Sequence, residues 1–124
     1  MPNYASFAAA GSTTPDKLIA GNSDLLVARK VTISSGQTLT RGAVLGKVTA
    51  TAEYVLSLSG ASDGSQTPDL ILAEDVTATV DTPAVAYARG DFNTAGLTLG
   101  ASHTVASITE GLRAKGITLF SSAL

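Results

Sequence analysis

ARKVTISSGQTLTRGAVLGKV, Ala28 to Val48, is the stretch from which the architecture is read. Val31-Thr32-Ile33 is a short β-branched run, Ser34-Ser35-Gly36-Gln37 is a cluster of turn formers, and Ala43-Val44-Leu45-Gly46-Lys47-Val48 is a second apolar run. The same grammar continues outward. Leu25-Leu26-Val27-Ala28 leads into the stretch, and Glu53-Tyr54-Val55-Leu56-Ser57-Leu58, Leu70-Ile71-Leu72-Ala73, Ala84-Val85-Ala86-Tyr87-Ala88 and Ile117-Thr118-Leu119-Phe120 follow it. Turn signals recur about every ten residues, which predicts an all-β or β-dominated domain.

One segment breaks the pattern. Between Thr104 and Lys115, Val105, Ile108 and Leu112 recur at helical spacing and form one apolar stripe. Ser102 is a candidate cap, and Ser107-Ile108-Thr109-Glu110 fits a capping box at a later start. Arg113 and Lys115 sit where cations favour the helix dipole, and Gly116 supplies the stop. The expected fold is therefore mainly β, a β-rich α+β domain of barrel-like or tulip-like form with one short C-terminal helix.

SDGSQTPDLILAEDV, Ser62 to Val76, poses the functional question. A polar, turn-forming loop feeds a strand that ends in two acids, Glu74 and Asp75. Asp63-Gly64 favours a turn, Asp63 and Ser65 can bond nearby backbone, and Pro68 forces Thr67 to be extended. Those features suit a structural connection. The alternative is that Ser65, Gln66 and Thr67 meet a neighbouring subunit. Adjacent residues at a strand end point to opposite sides, so Glu74 and Asp75 read as a solvated strand end rather than an acid/base pair.

Composition narrows the function classes. The 124 residues make one domain, and 44% are apolar, yet there are only three Phe, three Tyr and no Trp. A core of Val, Ile, Leu and Ala with so little aromatic bulk gains from subunit association. The net charge is −2 and the longest basic run is Arg29-Lys30, which argues against a nucleic-acid partner. Cys is absent, so disulfides and thiolate metal sites are excluded. The N-terminus has no basic n-region or long apolar segment, and no run is long enough for a membrane helix. Synthesis in the cytosol, with no membrane partner, is the expectation.

Catalytic chemistry finds little support. His103 is the single histidine, there is no Gly-x-Ser-x-Gly elbow, and its position just before the helix suits a terminus residue. Gly42-Ala43-Val44-Leu45-Gly46-Lys47 has the wrong spacing for a phosphate loop. Arg89-Gly90-Asp91 spells an integrin tripeptide by chance. The expectation is a non-enzyme with no catalytic residue, no cofactor, no metal and no small-molecule substrate. Residues 1–24 read as a flexible N-terminal arm with isolated apolar anchors, and residues 25–124 as a single β-rich domain.

Ala28 to Val48, Ser62 to Val76, ARGDFNTAGLTLG (Ala88 to Gly100) and LRAKGITL (Leu112 to Leu119) together resemble the lambda-type head decoration, or cement, proteins of tailed bacteriophages. The resemblance runs from about residue 18 to residue 120 with its segments in order. It implies a capsid decoration protein that binds the outer surface of the expanded head as a homotrimer, at three-fold and quasi-three-fold sites. It also implies that the protein reinforces the shell against internal DNA pressure. The implied partners are the major capsid protein and other copies of this chain, and the implied location is the virion. The arm anchors expected to meet the capsid are Tyr4, Phe7, Leu18 and Ile19, and a subunit interface at Ser65, Gln66 and Thr67 stays the alternative to a structural connection. The rival is a carbohydrate- or receptor-binding β module on a phage surface, for which six aromatics are a poor supply.

Overall fold

The computed structural model describes residues 18–21 and 25–121. Its strands, in chain order, are β1 (Ile19–Gly21), β2 (Val27–Ile33), β3 (Gln37–Leu39), β4 (Val44–Lys47) and β5 (Tyr54–Leu56). They continue with β6 (Pro68–Leu72), β7 (Val76–Ala78), β8 (Thr82–Asn93) and β9 (Ile117–Phe120), and helix α1 (Val105–Arg113) stands between the last two.

Five of these strands close into a barrel in the order β8-β2-β5-β4-β6 and back to β8. β8 makes the closure possible because it is paired along both edges. Ala86 and Tyr87 lie opposite Arg29 and Ala28 of β2 on one side, and opposite Leu72 and Ile71 of β6 on the other. Closure removes the open edges that would template aggregation. The interior is filled by Val31, Ile33, Leu45, Tyr54, Leu70, Leu72, Ala84 and Ala86, β8 contributing the two alanines.

A second core lies outside the barrel wall, built from Leu18, Val44, Ile71, Phe92, Ile108, Leu112 and Ile117. This explains why β4 and β6 read as unbroken apolar runs while β8 alternates. Leu45, Leu70 and Leu72 face the barrel interior, and their neighbours Val44 and Ile71 face the second core. Both faces are covered, so no position needs to be polar.

β8 leaves the barrel at Gly90, whose φ is +150°. A Cβ there would stand 2.4 Å from Leu26 Cδ2 and 3.1 Å from the Phe92 ring, so only glycine fits. Beyond it, Gly90 to Asn93 pair in parallel with Ile117 to Phe120 of β9, and Phe92 pairs with Ile19 of β1. The Ala84–Ala88 run is thus only the first part of a longer strand. Arg89-Gly90-Asp91 is sheet, with Gly90 buried, and not a loop that presents a tripeptide. The three-residue pair β3–β7 was not legible as strands. It contributes Leu39, Val76 and Ala78 to the first core.

The helix starts later than Ser102 and earlier than Ser107. Thr104 is the cap: its hydroxyl accepts from the Ser107 amide at 3.2 Å, and Ser107 Oγ accepts from the Thr104 amide at 2.9 Å. Serine takes the place of the usual Glu or Gln in the capping box. Ile108 and Leu112 are buried as the stripe requires, whereas Val105, in the first turn, is exposed. Gly116, at φ +95°, ends the segment.

Leu18 belongs to this packing: it is 3% exposed, and its carbonyl accepts from the Asn93 amide at 2.7 Å. Leu18→Ala is expected to lower the unfolding free energy by about 2–4 kcal/mol, measured by urea denaturation. A change of a few tenths would show that the residue is not part of the core.

Candidate functional site

The Asp63–Pro68 loop is held shut by its own side chains. Asp63 Oδ1 accepts from the amide and the hydroxyl of Ser65, and Gln66 Oε1 accepts from the Gly64 amide at 2.8 Å. The Asp63 carboxyl is accordingly held below the usual carboxylate range by the Ser65 hydroxyl and then by its amide. The loop lies flat on β4 because residue 46 has no side chain. A Cβ on Gly46 would fall 1.9 Å from the Ser65 carbonyl oxygen. The expectation of a structural connection describes this geometry.

His103 fastens the loop to the helix. Its Nε2 lies 3.1 Å from both Ser57 Oγ and the Gln66 carbonyl, and its Nδ1 lies 3.1 Å from Ser107 Oγ. A carbonyl can only accept, so Nε2 carries the hydrogen. Ser57, fully buried, donates to the Ser65 carbonyl at 2.7 Å. The histidine is thus a structural tie between three segments, more than a helix-terminus residue.

A second network sits at the adjacent barrel mouth. Asp69 accepts from the Tyr54 hydroxyl at 2.8 Å and from Lys115 Nζ at 3.0 Å, and Lys115 also donates to the Pro68 carbonyl at 2.9 Å. Burial, aided by Asp69, pushes the Tyr54 hydroxyl up to about 12. Burial of Asp69 works against its ionisation. The hydrogen bonds from Lys115 and Tyr54 outweigh it and bring the carboxyl below its ordinary range.

Glu74 and Asp75 are exposed just past the end of β6, as a solvated strand end should be, and each also accepts from a backbone amide. Glu74 Oε2 accepts from the Val85 amide at 2.8 Å, and Asp75 Oδ1 accepts from the Arg41 amide at 2.8 Å. They point to different segments, and each supplies an acceptor in the connection between β6 and β7. Among the described residues no group of three or more His, Asp or Glu could hold a metal, and no helix is long and apolar enough to cross a membrane.

The expected contact residues fall in different places. Tyr4 and Phe7 lie outside the described residues. Leu18 is enclosed in the second core and Ile19 is half-buried against it, both placed by β1 on the distal part of β8. Ser65 is buried, Gln66 is half-buried with its amide oxygen occupied, and Thr67 is exposed. The structure therefore seats β1 on β8 and the loop on β4 and His103, as two separate features. Sequence reasoning passed over the apolar surface of Leu25, Val27 and Val85, exposed on and beside β2 and β8. Its one signal was the run Leu25-Leu26-Val27, which reads the same whether buried or not.

The family model for bacteriophage lambda head decoration protein D matches residues 8–117. The chain belongs to this family. No curated protein matches it. Decoration protein D is a structural phage family, so the coarse role is capsid decoration and the location is the virion capsid. For a decoration protein D relative, the internal fastening of the Asp63–Pro68 loop reads as the making of a firm surface.

Two outcomes follow for stability. Gly46→Ala is expected to cost about 1–3 kcal/mol by displacing the loop, read as a lower urea midpoint. The folded value of Asp69 is depressed, so its contribution is present above the unfolded carboxylate value and is lost as pH falls through the folded one. The urea midpoint of the natural chain should drop between about pH 6 and about pH 3, and that of Asp69→Asn should drop less. Parallel pH profiles would show that the Tyr54–Asp69–Lys115 network carries no pH-linked stability.

Proposed function

We propose that the protein is a cement for a phage head, binding the outside of the expanded shell as a homotrimer at three-fold and quasi-three-fold sites. There it contacts the major capsid protein and stiffens the shell against internal DNA pressure. The observation that carries this reading is the family match across residues 8–117. A closed barrel with firmly tied loops supports it, since a clamp under load gains from a surface that does not deform on binding.

On this reading Tyr4 and Phe7 meet the capsid. Leu18 and Ile19 then serve as the root that fixes their segment to β8. Three such segments on one trimer raise effective concentration at a three-fold site, so weak individual contacts suffice. Of Ser65-Gln66-Thr67, Thr67 is the exposed member. A glycan-binding role fits less well. Of the four aromatics among the described residues, Tyr54 and Phe92 are buried, Tyr87 is half-buried, and Phe120 alone is exposed.

The test is co-sedimentation with shells of the same phage made without this protein, in unexpanded and expanded forms. A truncated chain for comparison should begin at Lys17, which keeps β1 and the second core. Saturable binding of the full chain to expanded shells alone, weakened by truncation, is the expected result. Binding to neither form would overturn the reading.

A further inference from the structure

The barrel mouth beside the Asp63–Pro68 loop holds an excess of positive charge on a chain whose net charge is −2. Lys47 ends β4, Lys115 follows α1, and together with Thr49, Gly64, Thr67 and Asp69 they line a cleft of about 310 Å³. Arg29 of β2 precedes the inward-facing Val31 and Ile33 by even steps, and its charge acts on both Tyr54 and Asp69. Two lysines line the cleft with Asp69, Arg29 adds its field, and the Asp63 carboxylate on the adjoining loop is taken up by Ser65. Asp69 is already engaged by Tyr54 and Lys115, while the Lys47 ammonium, exposed, has no hydrogen-bond or ion-pair partner among the described residues.

The chemistry of the cleft selects the kind of anion. Phosphate sites use nests of backbone amides. Here the amides of Gly64, Ser65 and Thr67 are consumed within the loop, by Gln66 Oε1, Asp63 Oδ1 and the Gly64 carbonyl. What remains is lysine, a point charge on a flexible stem, flanked by two threonines. That set suits a carboxylate brought in by another protein, which needs a counter-charge and no fixed fork of donors.

We propose that this mouth seats an acidic side chain of the major capsid protein, with Lys47 as its direct partner and Arg29 and Lys115 supplying the surrounding field. The inference rests on the decoration reading. An anionic patch on the shell would be repelled by most of this acidic chain and drawn to this one end, which would orient the subunit as it docks.

The experiment measures binding of the full-length chain to expanded shells, at low and high salt, for the natural protein, Lys47→Gln, Lys47→Glu and Lys30→Glu. Lys30 lies exposed on β2 opposite Val85, so it changes net charge equally without touching the mouth. Lys47→Glu should weaken binding about ten-fold or more at low salt, Lys47→Gln less, and Lys30→Glu by no more than about two-fold. The gap between Lys47→Glu and the natural chain should narrow at high salt, and thermal unfolding should be unchanged. Equal binding of Lys47→Glu and the natural chain would overturn the inference while leaving decoration intact. So would equal weakening by Lys30→Glu, which would mean that only net charge matters. Loss of self-association without shells, with binding of pre-cross-linked trimers unaffected, would place another copy of this chain at the mouth and overturn it as well. No binding by the natural chain would remove both the inference and the reading beneath it.

Discussion

The structure depends on β8 being paired along both edges at Ala86 and Tyr87. One edge holds β2 and the other holds β6, so this strand is the seam at which the barrel shuts. Its inward residues have to be small there, and they are Ala84 and Ala86. The same strand then passes through Gly90 and carries Phe92 into the second core, where β1, α1 and β9 gather around it. A single continuous element thereby couples the two cores, and neither can be loosened without disturbing the other. With so little aromatic bulk, that sharing of one strand between two cores is how a short chain covers both faces of β4 and β6.

From that frame the surface follows. β4 is fixed on both faces, so Gly46 offers a flat, rigid bed for the Asp63–Pro68 loop, and His103 ties the loop to the start of α1. Lys115, just past the helix, reaches back to Pro68 and Asp69 and finishes the barrel mouth. The polar groups of this end serve mostly to hold backbone in place. For a member of a head decoration family this is a coherent arrangement.

Much of this was legible in the sequence because it depends on local pattern. The runs at Val31–Ile33, Ala43–Val48 and Leu70–Ala73, the helix ending at Gly116, and the turn chemistry of Asp63-Gly64 all announce themselves within a few residues. What stayed hidden depends on partners far along the chain. Ile19-Ala20-Gly21 is a strand because Phe92 lies beside it, and three residues carry no period of their own. Arg89-Gly90-Asp91 read as a chance tripeptide, and nothing local shows that β1 and β9 make the chain from Gly90 onward the middle of a sheet. Glu74 and Asp75 are the solvent-exposed acids they read as, but nothing nearby in sequence says that they also accept from the amides of Val85 and Arg41. The charged barrel mouth was equally hidden, assembled from Arg29, Lys47, Asp69 and Lys115 on four separate segments.

The central claim is that the domain is a preformed unit locked by the β8 seam before it meets a shell. Native-state hydrogen exchange of the free full-length chain tests this most directly. The amides of Ala86 and Tyr87 should be among the slowest to exchange, opening only with global unfolding and with the same dependence on denaturant. If they exchange through a low-energy local opening while α1 stays protected, the seam does not hold the fold together and the account is wrong.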